Sequence, residues 1–227
     1  MCHCLFALSL LLSVAGISHG EHWTYLTFTQ IWPISYCSFV PCGKIPEPVD
    51  FTVHGLWPDP FPKTEQCDPA PDFKEDILKP LKSLLNQHWP NLDVPGNPAF
   101  WEHEWNKHGK CAIENKLIAN ELQYFNVSLI LREDLDLQNK LKAQGITPSD
   151  SIEYKKEDFL KALKAELGVL AEIACVLSKS GKPLLDEIRV CYNLALKVID
   201  CDISANYGYE KPTIKCPETF LFPYSTQ

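Results

Sequence analysis

Beyond the first 20 residues, no stretch of this 227-residue chain comes near the roughly 20 uninterrupted apolar positions that a membrane-spanning helix needs. A soluble mature chain is therefore expected. Also missing is any C-x-x-C pair, the close spacing on which structural zinc sites are built. There is no internal repeat, no low-complexity tract and no Gly/Ser-rich linker, so a single domain over residues 21–227 is the expectation. An excess of positive charge is absent too: 21 Lys and Arg stand against 29 Asp and Glu, a net charge of −8. That balance excludes tight, nonspecific coating of nucleic acid, which relies on many cationic contacts to phosphate. An anionic substrate would have to be held by a local cationic site.

The opening segment MCHCLFALSLLLSVAGISHG has an apolar run from Leu5 to Leu12, then small residues, and closes on Ser18, His19, Gly20. It reads as a secretory signal peptide removed before Glu21. Of the ten cysteines, Cys2 and Cys4 fall in this segment. The other eight are Cys37, Cys42, Cys67, Cys111, Cys175, Cys191, Cys201 and Cys216. An even number in an oxidising compartment implies four disulfides, with about 105 connectivities left open by spacing alone.

Periodicity sketches an α+β order. Trp23 to Pro33 is β-branched and aromatic, which predicts a strand. After a loop rich in Pro and Cys comes a second strand from Phe51, closed by Gly55 and Pro58. Between Asp72 and Trp89, Ile77, Leu78, Leu81, Leu84 and Leu85 fall at helical spacing, with Pro80 kinking the helix or delaying its start. Pro98 suits the first turn of a helix ending at Gly109. Glu114 to Gln144 should form two helices broken near Arg132 to Asp134, with Leu117, Leu122, Phe125 and Leu129 on one stripe. Lys156 to Gly168 is a further amphipathic helix. Val169 to Leu177 and Ile188 to Leu196 are apolar runs, and Lys197 to Cys201 reads as part of a strand. Helices in the middle with strands at both ends argue α+β.

The densest chemistry lies in EHEWNKHGKC, Glu102 to Cys111. A zinc protease requires H-E-x-x-H, and here one residue too many separates His103 from His108. At about 100° per residue, Phe100, His103, Glu104, Lys107 and His108 share an arc of roughly 140°, bordered by Trp101 and Trp105. One helix face thus gathers two imidazoles, an ammonium and a carboxylate, partly buried by indoles that would tune the histidines. His54 adds a third imidazole. Strand alternation places it with Thr52 rather than with Phe51 and Val53.

The pair FTVHGLWP (Phe51 to Pro58) and FWEHEWNKHGKC (Phe100 to Cys111) closely resembles the two active-site segments of the ribonuclease T2 family of secreted endoribonucleases. The resemblance extends to QIWP (Gln30 to Pro33), YFNVSL (Tyr124 to Leu129), LDLQNKLKAQGI (Leu135 to Ile146) and the cysteine spacing, with the middle closer to animal than to plant members. It implies an α+β domain with a central antiparallel sheet packed by several helices, and disulfides joining Cys37 to Cys42, Cys67 to Cys111, Cys175 to Cys216 and Cys191 to Cys201.

The resemblance further implies cleavage of single-stranded RNA by attack of the 2′-hydroxyl on the adjacent phosphorus, giving a 2′,3′-cyclic phosphate and then a 3′-phosphate. Carried over by position, His108 is the base, His54 the acid and His103 a phosphate ligand. Lys107 would stabilise the phosphorane, and Glu104 would orient or polarise His108 or the phosphate. Trp57 and Asp59 resemble base-contacting residues. No cofactor or metal is implied, DNA lacks the nucleophile, and a monomer is expected. Lys110 stands where the family usually has a small hydroxyl residue. Helical geometry puts it near His103, where it would add phosphate attraction and lower the His103 pKa. Asn126 heads the sequon Asn126-Val127-Ser128. The destination would be extracellular or lysosomal. Two other readings are an RNA-binding or signalling factor on the same fold, and a zinc-dependent hydrolase. Base preference would rest on the loops 61–68 and 91–98.

Overall fold

A computed structural model describes residues 23–60, 67, 70–93, 96–202 and 212–226. The expected signal segment, residues 1–20, lies outside them. Among the described residues no helix is long and apolar enough to cross a membrane.

An eight-stranded sheet organises the chain, with the path β2-β1-β5-β4-β7. Strand β1 (Tyr25–Ile31) runs antiparallel to β2 (Thr52–Asp59) on one side and to β5 (Pro183–Tyr192) on the other. Beyond β5 lie β4 (Glu172–Leu177) and β7 (Ile214–Lys215), both antiparallel. Two-residue β6 (Val198–Ile199) also pairs with β5. A smaller pair, β3 (Glu153–Lys155) with β8 (Thr219–Leu221), joins β5 through the one parallel register among the described residues. The middle of the chain supplies the helices, as the α+β order predicts.

Several boundaries differ from those read in the sequence. The Pro- and Cys-rich loop after β1 opens with helix α1 (Pro33–Phe39), for which Pro33 supplies a preset first-turn φ. Gly55 and Pro58 do not close β2, which continues to Asp59. Because β2 is an edge strand, the missing N–H of Pro58 is tolerated. Pro80 delays the next helix: Glu75–Leu81 is 3₁₀, and α2 occupies Lys82–His88. Of the five apolar residues on that stripe, Leu78 and Leu85 are buried while Ile77 and Leu84 face outward. Helix α3 (Asn97–Glu104) does not stop at Gly109. It widens into a π turn at Trp105–Gly109 and ends as α4 (Lys110–Ala112). The break in the long helical stretch falls at left-handed Asp136, between α5 (Glu121–Leu135) and α6 (Leu137–Ala143), two residues later than expected. Helix α7 (Lys156–Leu167) ends on left-handed Gly168. The second late apolar run belongs to a strand that starts at Pro183 and ends at Tyr192.

Aromatic side chains fill the core. Trp32, Phe51 and Phe222 form one ring cluster, and Trp89, Tyr124 and Phe125 another. Side chains in and just after the helices also serve the edge strand β2: Arg132, Trp89 and Tyr124 donate to the carbonyls of Phe51, His54 and Leu56. The edge is thereby covered. All four disulfides have the connectivity that the resemblance implies. One of them, Cys67–Cys111, anchors the end of α4.

Candidate active site

His54 owes its direction to a β-bulge. In the β1–β2 register Thr29 pairs with Gly55 and Gln30 with Val53, which leaves His54 as the extra residue. A bulge resets alternation. His54 therefore shares a sheet face with Trp57 and Asp59, which strict alternation would have sent to the opposite side. The same face carries Thr27 and Thr29 of β1, and Glu187 and Arg189 of β5. The other face carries Leu26, Phe28, Leu56, Ile188 and Val190 and belongs to the apolar core.

The helix segment meets this polar face. Trp101 and Trp105 are fully buried, as their position beside the arc predicts, and donate to the carbonyls of Trp89 and Pro71. A Cβ on Gly109 would collide with the Trp105 ring and press on Tyr124. Glycine is required there because the indole lies on the backbone, and helix termination plays no part. The widened turn is of the kind that recurs at functional sites. It turns His108 inward, 6 % exposed, beside buried Glu104, while His103 is exposed and Lys107 half-buried.

Trp57 joins strand to helix. Its ring stacks on His108 with centroids 5.2 Å apart and meets the edge of His54 at 5.0 Å. The indole N–H donates to Glu104 Oε2 at 2.9 Å. Glu104 therefore engages Trp57, whereas helical spacing had pointed it at His108. A Cβ on Gly55 would strike both the Trp57 nitrogen and the Glu104 carboxylate, so this strand glycine permits the close approach. Asp59, half-buried, accepts the Thr27 hydroxyl at 3.3 Å, and burial raises its pKa.

Two residues of the site escaped the sequence reading. Glu187 Oε1 lies 2.7 Å from His54 Nδ1, and Glu187 Oε2 accepts from Arg189 Nε at 3.0 Å and Nη2 at 2.6 Å. Their signal was the DEIRV string, in which opposite charges two apart interrupt an otherwise apolar strand. Taking that run to begin at Ile188 cut Glu187 away.

These surroundings push the two inner histidines in opposite directions. Burial lowers His108 well below the usual histidine range, and the charges of Lys107, His54 and His103 act the same way. Burial also works to lower His54, but the hydrogen bond and charge of Glu187, helped by Glu104 and Asp186, outweigh it and hold His54 above its usual value. Burial raises Glu104 against the opposing pull of His54, the Trp57 hydrogen bond and Lys107. Burial would raise Glu187 as well, yet Arg189 and His54 bring it down to about 2.

Lys110 does not join this cluster. Its ammonium pairs with the exposed carboxylate of Asp72 at 3.1 Å, and it is not among the charges that shift His108. Paired in this way, Lys110 has a competing carboxylate for the phosphate attraction expected of it. Beside His54 opens a recess lined by Tyr36, Asn91, Asp93 and Phe100 among others. Two of these come from the 91–98 loop named for base preference; residues 61–66 and 68 of the other loop lie outside the described residues. Among the described residues, no group of three or more His, Cys, Asp or Glu side chains could hold a metal ion.

A family model for the Ribonuclease T2 family matches residues 23–201. Ribonuclease Oy of Magallana gigas is 37% identical over 213 residues, covering 89% of this chain and 97% of its own. Ribonuclease T2 of Homo sapiens is 34% identical over 194 residues, 84% of this chain and 74% of its own. Among solved structures, RNase NT in complex with 5′-AMP superposes with a TM-score of 0.75 at 29% identity, and human RNase T2 with 0.73 at 30%. Each covers 88% of this chain and 98% of its own. With the two motif segments meeting across one indole in a domain of this architecture, the chain belongs to the Ribonuclease T2 family and is a T2-type endoribonuclease.

Proposed function

We propose that the chain cleaves single-stranded RNA by internal transesterification, with His108 as general base and His54 as general acid. One observation carries this reading: two imidazoles flank a single indole, one driven toward its neutral form and the other toward its protonated form. A pair of groups pushed apart in this way is suited to opposite proton roles. Neutral His108 takes the 2′-hydroxyl proton as that oxygen attacks phosphorus. Protonated His54 gives its proton to the departing 5′ oxygen. Lys107 and His103 meet the charge that builds on the phosphorane. The products are a 2′,3′-cyclic phosphate and a free 5′-hydroxyl, and hydrolysis then yields the 3′-phosphate. Trp57 and Asp59 contact a base, and the recess beside His54 accepts the neighbouring one. No metal enters any step.

Residues 1–20 direct secretion and are removed before Glu21, and the mature monomer works outside the cell or in a lysosome. Four disulfides suit such a compartment. Asn126 lies within α5, and the Ser128 hydroxyl is bonded to the Tyr124 carbonyl. Glycosylation there must precede helix formation.

The test is digestion of an oligoribonucleotide and its 2′-deoxy counterpart, with and without EDTA, from acid to neutral pH. The expected result is chelator-resistant cleavage of the ribo strand alone, through a cyclic phosphate and with a bell-shaped pH profile. Cleavage of the deoxy strand, or loss of activity with EDTA, would refute the mechanism. A protein that bound RNA without cutting it would instead be a binding factor.

A further inference from the structure

We propose that Glu187, clamped by Arg189, is the positioning residue for His54: it grips the ring at Nδ1 and turns Nε2 toward the reacting phosphodiester. The inference rests on the reading of His54 as general acid. Both oxygens of Glu187 are committed, one to His54 at 2.7 Å and the other to two nitrogens of Arg189 at 3.0 and 2.6 Å. Glu187 and Arg189 are 2 % and 5 % exposed, so the clamp is closed to water. The Arg189 guanidinium also lies 5.9 Å from the centroid of Trp57, the indole whose ring meets His54. The imidazole is thus held from its Nδ1 side and along its edge by groups that are themselves fixed.

Packing alone does not explain this arrangement, because a buried ion pair adds little net stability over apolar side chains of similar volume. Its place does. The bulge that brings His54 onto this sheet face points it at the β5 residues opposite, and Ile31, the last residue of β1, pairs with Glu187. The charged or titratable groups around His54 are Glu187, Asp186 and Arg189 of β5, Glu104 of α3, His108 of the π turn, and Tyr36 and Asp93 across the recess. Among the described residues, Glu187 is the side chain that hydrogen-bonds the ring. A carboxylate fixed at Nδ1 selects the tautomer of the neutral ring, leaving Nε2 as the position that carries and delivers the proton.

The experiment compares wild type with Glu187→Gln and Glu187→Ala in the full chain. It reads histidine-ring NMR titrations together with the pH profile of kcat/KM on a single-stranded oligoribonucleotide. Glutamine keeps an acceptor for Nδ1–H and loses the charge. His54 should then titrate about 1 to 3 pH units lower, and the basic limb of the profile should move down with it. Turnover on the acid side of that limb should survive. Alanine releases the ring, so kcat should fall by about 10² at every pH while KM stays close to wild type. An unchanged His54 titration and basic limb in Glu187→Gln would overturn the proposal. If that variant fails to fold with Arg189 left unpaired, the double variant Glu187→Gln/Arg189→Met removes both charges and is read in the same way. A wild type that does not cut RNA would sink the catalytic reading, and the NMR titration would still decide whether Glu187 holds His54.

Discussion

Replacing Gly55 by alanine tests the join between strand and helix without replacing any titratable group. The added methyl would overlap the Trp57 nitrogen and the Glu104 carboxylate, two groups bonded to each other at 2.9 Å. Glu104 is 2 % exposed, and Trp57 is pinned between two imidazoles, so neither can simply swing into solvent. Overpacking of this kind costs about 1 to 3 kcal/mol, and losing a hydrogen bond to a charged acceptor a further 1.5 to 3, roughly. Together these amount to about 2.5 to 6 kcal/mol. For a chain of this size that is a fall in Tm of about 5 to 24 °C.

The displaced indole would also move against His54 and His108, and a shift of about 1 Å at a catalytic group costs about 10² in rate. Calorimetry and kcat/KM on an oligoribonucleotide measure the two effects. Gly43→Ala is the control, since a Cβ there meets nothing within 4 Å, and it should leave both quantities unchanged. A Gly55→Ala protein with wild-type Tm and turnover would refute the claim that the missing Cβ at this strand position lets helix and strand meet.

Three further outcomes are expected. His54→Ala and His108→Ala should each reduce kcat by about 10² to 10⁴, the first removing the basic limb of the pH profile and the second the acid limb; full turnover in either would cancel its proton role. Lys110→Thr should leave the pH profile and salt dependence of kcat/KM as they are, because its partner is the solvent-exposed Asp72 and such pairs contribute about 0 to 1 kcal/mol; a shifted profile would restore the link to His103. Burial raises buried Glu172 from 4.5 to about 7, so the folded state binds more protons than the unfolded chain across that interval, and stability should fall as pH rises through it. Glu172→Gln should flatten that slope in denaturant titrations at a series of pH values, and an unaltered slope would place the proton elsewhere.

What the sequence disclosed, and what it hid, divides along the distance between the residues involved. His103, Glu104, Lys107 and His108 lie within one helical segment, where spacing alone brings side chains onto neighbouring positions. The strands and helices with strong periods were readable for the same reason. Even inside that segment the reading carried an error, because a uniform 100° per residue has no π turn in it, and the turn spans Trp105–Gly109, where the Trp105 ring lies on Gly109. The side of the sheet on which Trp57 and Asp59 fall depends on a bulge that exists only in the pairing of β2 with β1. The partner of His54 lies 133 residues further along the chain. Local pattern can name a proton-transfer group, since its chemistry is a property of the side chain. Whether that group serves as acid or base depends on the charge facing it, and here that charge reaches the site through the register of β1 on β5. The opposite drift of two chemically identical imidazoles is therefore a consequence of topology, and changing Glu187 should shift the titration of His54 while every residue of the two motifs stays in place.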